Sequence, residues 1–436
     1  MEWYFILALF ILTLLGLFLL GFPVAFAFLI VNFLALYLFA GGLGSLFVVI
    51  PSALDMLLKT SMLAVPLFIL MGEITFHSGI GETVINALDL WVGRLPGRLS
   101  LLAVMAGTLF AVLSGSALAT TSMLGSVLIP QMRHKNYGKS MSIGPVLGGG
   151  GLAVIIPPTF LAIILASLTR VSVASMLMGL VIPGLLLATM YCGFIIMYAM
   201  LRPSEAPPHE VGAVSFLRKL QSLRHIMPLG GIIFLVIGVI IIGIASPTEA
   251  AALGALGCFV LAASYRKLSR AIITKTLTET AAIACMVFMI IIGSTAFSQL
   301  LAYTGASKGL VSVSTQLALP PIALLILMQM SIAILGTFMD QVSIMMIAIP
   351  TLLPIVTALG FDLVWFSIVT MINLSVAAFT PPFGLLLFAM KGVVPKDISM
   401  EDIIRAAVPY CIMGFAATGL IIAFPQIALW LPRLAR

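Results

Sequence analysis

Apolar runs of about 20 residues, the length a helix needs to cross a hydrocarbon core ~30 Å thick, recur from Met1 to Arg436 with no long polar stretch between them. Barrel strands would be shorter and would alternate apolar with polar residues. These runs are continuously apolar, so the chain reads as an all-α polytopic membrane protein forming a single membrane domain over 1–436. Only 8% of its residues are charged, against about 25% in a soluble domain, and its mean hydropathy of +1.26 excludes a soluble globular fold. The net charge of +7 is orientation charge collected in cytoplasmic loops, not a footprint for nucleic acid. Cys192, Cys258, Cys285 and Cys411 sit in apolar runs without metal-ligand spacing and read as free buried thiols. His77, His134, His209 and His225 fall near helix ends or in loops, which gives a metal enzyme no support. The first run has no basic n-region and no cleavage site, so it is a retained helix, not a signal peptide.

About ten crossings are expected, at 3–21, 23–41, 56–76, 141–166, 173–201, 226–245, 248–265, 278–301, 363–390 and 404–430. Two further apolar regions are interrupted midway. One spans about 99–130 and breaks at Ser114-Gly115-Ser116; the other spans about 321–354 and breaks at Gly336 to Asp340. Each arm is too short to cross, so both are expected to be re-entrant helical hairpins. With the N-terminus outside, only Lys59, Arg170, Lys308, Arg433 and Arg436 of the 21 basic residues fall outside, the bias that the positive-inside rule produces. Both termini are then periplasmic, and the two hairpins enter from opposite faces.

The segment 202–224 reads as a cytoplasmic linker carrying a short amphipathic helix, with Phe216, Leu217, Leu220 and Leu223 on one side and Arg218, Lys219 and Arg224 on the other. It divides the chain into halves 1–201 and 225–436. A shift of 224 residues lays Pro130 on Pro354, Pro157-Pro158 on Pro381-Pro382 and Leu161 on Leu385. Five crossings per half is an odd number, so the second half is an inverted-topology repeat of the first.

Inverted repeats with interrupted segments at matching positions mark a secondary transporter that binds solute and ions at the breaks. Broken helices free carbonyl oxygens for a hard cation such as Na⁺ and offer helix N-termini to an anionic solute. The first break is read at Gly148 to Gly151 and Ile155-Ile156-Pro157-Pro158-Thr159, because four glycines disfavour helix and proline lacks an N–H. A first sodium site would combine Ser114, Gly115 and Ser116 with Gly150, Gly151, Ile156 and Pro157. Close helix packing through small residues is the other reading of the glycines. A second sodium site would combine Gly336, Thr337 and Asp340 with Asn373, Thr380 and Pro381. Asp340 is either an ion ligand or an N-cap; Asn373 and Thr380 either bind or join helices. Ser116, Pro158, Thr159, Thr337 and Pro382 are placed to meet solute. Ser246-Pro247-Thr248-Glu249 is a capping box, and Glu73 snorkels or pairs at a helix end.

Ser114-Gly115-Ser116-Ala117, Ile156-Pro157-Pro158, Pro247-Thr248-Glu249-Ala250-Ala251-Ala252, Gly336-Thr337-Phe338-Met339-Asp340 and Thr380-Pro381-Pro382-Phe383-Gly384, in this order, resemble the large membrane subunit of tripartite ATP-independent periplasmic (TRAP) transporters. The resemblance covers nearly the whole chain. It implies an elevator-type ion transporter fold in the bacterial inner membrane, importing an organic anion such as a dicarboxylate or sialic acid with Na⁺ as coupling ion and no other cofactor. It also implies two partners, a periplasmic substrate-binding protein and a small four-helix membrane subunit, the latter expected to be unfused. The runner-up is a stand-alone sodium- or proton-coupled carboxylate carrier of related architecture. An enzyme or channel would need a catalytic cluster or a polar stripe within the spans, and neither is seen.

Overall fold

Long apolar segments dictate helix because the backbone must satisfy its own hydrogen bonds, and helix is what the computed structural model contains. It describes residues 3–39, 42–93, 95–207, 216–317 and 319–434. The chain opens with α1 Trp3–Leu19, α2 Val24–Phe39, α3 Leu43–Leu57, α4 Ala64–His77 and α5 Ile80–Val92. A hairpin follows, α6 Arg98–Ser114 and α7 Ala117–His134, and then an interrupted pair, α8 Lys139–Ile155 and α9 Phe160–Thr169, bent by 46°. Next come α10 Val173–Leu201, α11 Phe216–Ile233, α12 Val239–Ile241, α13 Pro247–Ser264, α14 Arg270–Tyr303 and α15 Ala306–Gln316. A second hairpin, α16 Pro321–Gly336 and α17 Gln341–Ala358, precedes a second interrupted pair, α18 Leu363–Ala377 and α19 Leu385–Val393. The chain closes with α20 Met400–Ala423 and α21 Gln426–Leu434.

Among the described residues six helices are individually long and apolar enough to cross a membrane, seven if α8 and α9 are taken as one span; the chain is a polytopic membrane protein. Shifted by 224 residues, α7 falls on the bounds of α17, and α6, α8, α9 and α10 fall within a few residues of α16, α18, α19 and α20.

The structure departs from the sequence reading in four places. Gly148 to Gly151 lie in unbroken helix, and α8 ends only at Ile155. The segment at 216–224 is no separate surface helix, for α11 runs on into the apolar stretch to Ile233 and a π turn at Phe234–Gly238; residues 208–215 and the side chains of Phe216, Leu217 and Arg218 lie outside the described residues. The stretch 404–430 is two helices, because Pro425 lacks the N–H that would continue α20. Cys258 and Cys411 are buried, but Cys192 is half-buried and Cys285 exposed.

Two packing groups emerge. α2, α4, α13 and α14 pack on one another, with Asn32 Nδ2 donating to the Gly293 carbonyl at 2.8 Å and Phe10 stacked on Phe297. The hairpin helices α6, α7 and α16 pack instead around α8 and α18, which are buried on every side, as helices apolar all round must be, while α17 packs chiefly against α14 and α15. The expected capping box starts α13: Ser246 N donates to Glu249 Oε2 at 2.7 Å, and Glu249 N to Ser246 Oγ at 3.3 Å. Outside the membrane-spanning segments, Arg133 donates to Asp397 at 2.8 Å and holds that carboxyl below the ordinary carboxylate range.

Candidate functional site

The first tip closes where the break predicts. Gly115 takes φ 56°, the left-handed conformation glycine adopts without steric cost, and Ser116 starts α7 by accepting from Ala119 N at 3.3 Å. The side chain of Ser114 lies outside the described residues. Across from the tip, α8 stops and the chain runs extended through Ile156, the cis Pro157–Pro158 bond and Thr159. Pro157 and Pro158 bring no N–H, so the carbonyls of Ala153 and Val154 have no donor four residues on. Tip and break meet: a Cβ on Gly115 would stand 3.6 Å from Thr159 Cα.

Thr159 is the informative residue here. It occupies the N-cap position of α9, yet its side chain makes no cap bond. The residue is fully buried and its hydroxyl has no hydrogen-bond partner. Thr121, on α7 against Gly150 of α8, is likewise fully buried with an unpartnered hydroxyl. An unpaired hydroxyl in such a place costs ~1–3 kcal/mol.

The glycines have a different task. A Cβ at Gly149 would stand 2.7 Å from the Ala103 carbonyl oxygen, one at Gly148 2.6 Å from the Tyr410 ring, one at Gly151 2.6 Å from the Phe379 ring, and one at Gly150 would collide with Thr121 Oγ1. They let α6, α7, α18 and α20 approach α8, so Gly150 and Gly151 sit beside the break instead of forming it.

The second tip is better braced. Asp340 is the N-cap of α17, accepting from Val342 N at 3.0 Å, from Ser343 N at 3.2 Å and from Ser343 Oγ. Thr337 Oγ1 donates to the Ile334 carbonyl at 2.8 Å, and Gly336 packs against Ala377. At the second break, with its cis Pro381–Pro382 bond, the carbonyls of Ala377 and Ala378 accept from Thr380 N at 3.1 Å and Leu386 N at 2.9 Å. Thr380 Oγ1 donates back to the Val376 carbonyl at 2.8 Å. Asn373 Nδ2 donates to the Gln329 carbonyl at 2.6 Å and to Gln329 Oε1 at 2.9 Å, while Gln329 Nε2 donates to Thr370 Oγ1 at 3.0 Å. Asn373 thus ties α18 to α16.

The two interrupted pairs meet where α18 packs on α8. Ser375 Oγ donates to the Gly151 carbonyl at 2.7 Å, and these residues are 224 apart in sequence, the spacing of the repeat itself. Sequence reasoning missed Thr121, Thr370 and Gln329. Only Gln329 carried a signal, as a lone amide within the apolar run Ile322 to Ile334. Away from both tips, His77 Nε2 lies 2.7 Å from Glu279 and 3.2 Å from Glu73, so Glu73 pairs. This cluster joins the ends of α4 and α14 and is spent on its own hydrogen bonds.

Residues 11–427 match the family model described as tripartite ATP-independent periplasmic transporter, DctM component. The chain is 31% identical over 375 residues to the C4-dicarboxylate TRAP transporter large permease protein DctM of Pseudomonas aeruginosa, covering 85% of this chain and 86% of that one. It is 28% identical over 425 residues to the ectoine TRAP transporter large permease protein TeaC of Halomonas elongata, covering 97% and 98%. The sialic acid TRAP transporter large permease protein SiaM of Vibrio cholerae is 29% identical over 380 residues, 86% of each chain. Among solved structures, the YdaH transporter of Alcanivorax borkumensis shares the fold, with TM-score 0.64 over 90% of each chain at 14% identity.

Proposed function

Because the chain belongs to the DctM component family of tripartite ATP-independent periplasmic transporters, as a large membrane subunit, we propose that it imports a small organic acid driven by co-transported sodium. The relatives named for C4-dicarboxylate, sialic acid and ectoine carry solutes that share a carboxylate, and that group is taken as the common element of what this chain carries. In this reading about ten helices cross the bacterial inner membrane with both termini periplasmic. The two hairpins are re-entrant, and the halves are inverted repeats. The matching helix bounds and the bond from Ser375 to Gly151 support this arrangement.

The observation that carries the proposal is the first tip. Buried oxygens that find no partner inside the protein are suited to a hard cation that prefers oxygen ligands. Thr121 and Thr159, with the carbonyls of Ala153 and Val154 before Pro157 and with Gly115 and Ser116 closing the tip, would hold Na⁺ there. At the second tip Gly336, Thr337 and Thr380, with carbonyls before Pro381, would hold another, and Asp340 fixes that tip as its cap. The solute carboxylate would lie between the tips, near Ser116, Pro158, Thr159, Thr337 and Pro382, where helix N-termini favour an anion. The hairpins and broken helices move as one block against the group of α2, α4, α13 and α14, an elevator motion. A periplasmic substrate-binding protein delivers solute, and a small four-helix subunit completes the complex.

The test is uptake into proteoliposomes holding this chain, its small subunit and its binding protein, with a panel of organic acids under a sodium gradient. Uptake should require all three proteins and sodium. Robust uptake by this chain alone, or uptake indifferent to sodium, would overturn the reading.

A further inference from the structure

A second polar cleft, about 430 Å³, lies away from both tips, between the end of α3, the end of α9 and the last turns of α14. Lys59, Arg170 and Asp55 border it. Among the described residues neither Lys59 nor Arg170 takes part in an ion pair. Three buried oxygens in its lining have no hydrogen-bond partner: Ser167 Oγ, Ser294 Oγ and Gln299 Oε1. Ser294 is 0% exposed and Ser167 8%. The other end of the Gln299 amide is occupied, donating to Ser52 Oγ at 2.6 Å.

Arg170 adds an independent observation. It is the C-cap of α9 with φ 58°, a left-handed position where glycine is the ordinary choice.

We propose that this cleft is an anion-binding vestibule, distinct from the hairpin tips, that takes the carboxylate of a small organic acid bearing a hydroxyl or amide. Lys59 and Arg170 attract the carboxylate, and the hydroxyls of Ser167 and Ser294 donate to it. Gln299 Oε1 accepts from the solute's own O–H or N–H. Asp55 offsets one of the two positive charges, leaving a net of one, which suits a monoanion. The walls come from both packing groups, α3 and α14 on one side and α9 on the other, so a bound solute bridges them. The vestibule's part in import rests on the transport reading; its anion binding does not.

The experiment uses the full purified chain with Ser298→Cys, an exposed position at the rim of the cleft. Labelling of that thiol by an anionic and a cationic methanethiosulfonate is timed by peptide mass spectrometry, which reads residue 298 apart from the native cysteines. A cleft of net positive charge raises the local concentration of anions, on the order of tenfold. Adding Lys59→Gln and Arg170→Gln should therefore lower the anionic-to-cationic rate ratio by about tenfold. At constant ionic strength, N-acetylneuraminate, lactate or glycolate should slow labelling, and this protection should vanish in the doubly neutralised variant but persist in Ser116→Ala. An unchanged rate ratio, or no protection by any of the three acids, would overturn the vestibule. So would protection lost in Ser116→Ala yet kept after neutralisation, which would locate the anion at the hairpin tip and leave the transport reading standing. Sodium-indifferent uptake would fail the transport reading without touching these rates.

Discussion

Thr159→Val exchanges a buried hydroxyl for a methyl of nearly the same shape, and the structure fixes the sign of its effect in two conditions. Without sodium the hydroxyl has no partner, so the wild-type chain carries a desolvation cost of ~1–3 kcal/mol that valine removes. The variant should unfold later than wild type in sodium-free detergent, by about 1 kcal/mol or more. With sodium the order should reverse in part. Binding to the folded state stabilises by RT ln(1 + [L]/Kd), about 2.7 kcal/mol at a hundredfold excess over Kd. Losing one oxygen ligand weakens binding by an expected factor of about ten, or ~1.4 kcal/mol, and sodium-induced stabilisation should shrink by that amount. Thr159→Ser keeps the hydroxyl and should follow wild type in both conditions. The assays are thermal unfolding across a sodium titration and sodium-activated uptake in the reconstituted complex. A Thr159→Val chain that is less stable without sodium, with unchanged sodium activation, would refute the reasoning and make the hydroxyl a bracing group.

Four further outcomes are expected. Gly149→Ala pushes a Cβ to 2.7 Å from the Ala103 carbonyl and should cost ~1–3 kcal/mol, read as lost folded protein, whereas Gly193→Ala, with nothing within 4 Å, should be tolerated. Asp340→Ala removes the cap of α17 and should cost ~1 kcal/mol in unfolding, while Asp340→Asn keeps a capping oxygen and should leave stability and sodium activation near wild type. Asn373→Ala leaves Gln329 Oε1 without its donor between α16 and α18 and should cost ~1–3 kcal/mol by the same measurement. Asp397, whose carboxyl is held below its ordinary range by Arg133, contributes stability that is present above the ordinary carboxylate value near 4 and lost as pH falls below it. Asp397→Asn should flatten the unfolding midpoint over that window.

How much of this was legible in the sequence depended on whether a residue acts through the backbone or through its neighbours. Proline and tip glycine act on their own backbone, so Gly115 and the pairs Pro157-Pro158 and Pro381-Pro382 are enough by themselves to mark the tip and the breaks. The run Gly148 to Gly151 misled for the same reason. Four glycines disfavour helix by their own propensity, yet α8 is wrapped by four other helices whose close approach needs the missing side chains, and packing outweighs propensity. Asp340 could not be decided from spacing, because a cap and an ion ligand ask for the same oxygen; the backbone amides of Val342 and Ser343 establish the cap. Thr121 and Thr159 were invisible as a pair, since their meaning lies in a shared absence of partners across two separate helices. That absence is also what distinguishes the halves. Thr380 and Leu386 amides re-pair the carbonyls at the second break, whereas the prolines of the first leave two carbonyls without their helical donors, and the same half holds the two unpaired hydroxyls. A duplicated backbone device therefore need not mean two equal sites. Among the described residues the first tip has the larger set of uncommitted oxygens, and the response of Thr159→Val to sodium, compared with that of Thr380→Val, would reveal which half dominates ion binding.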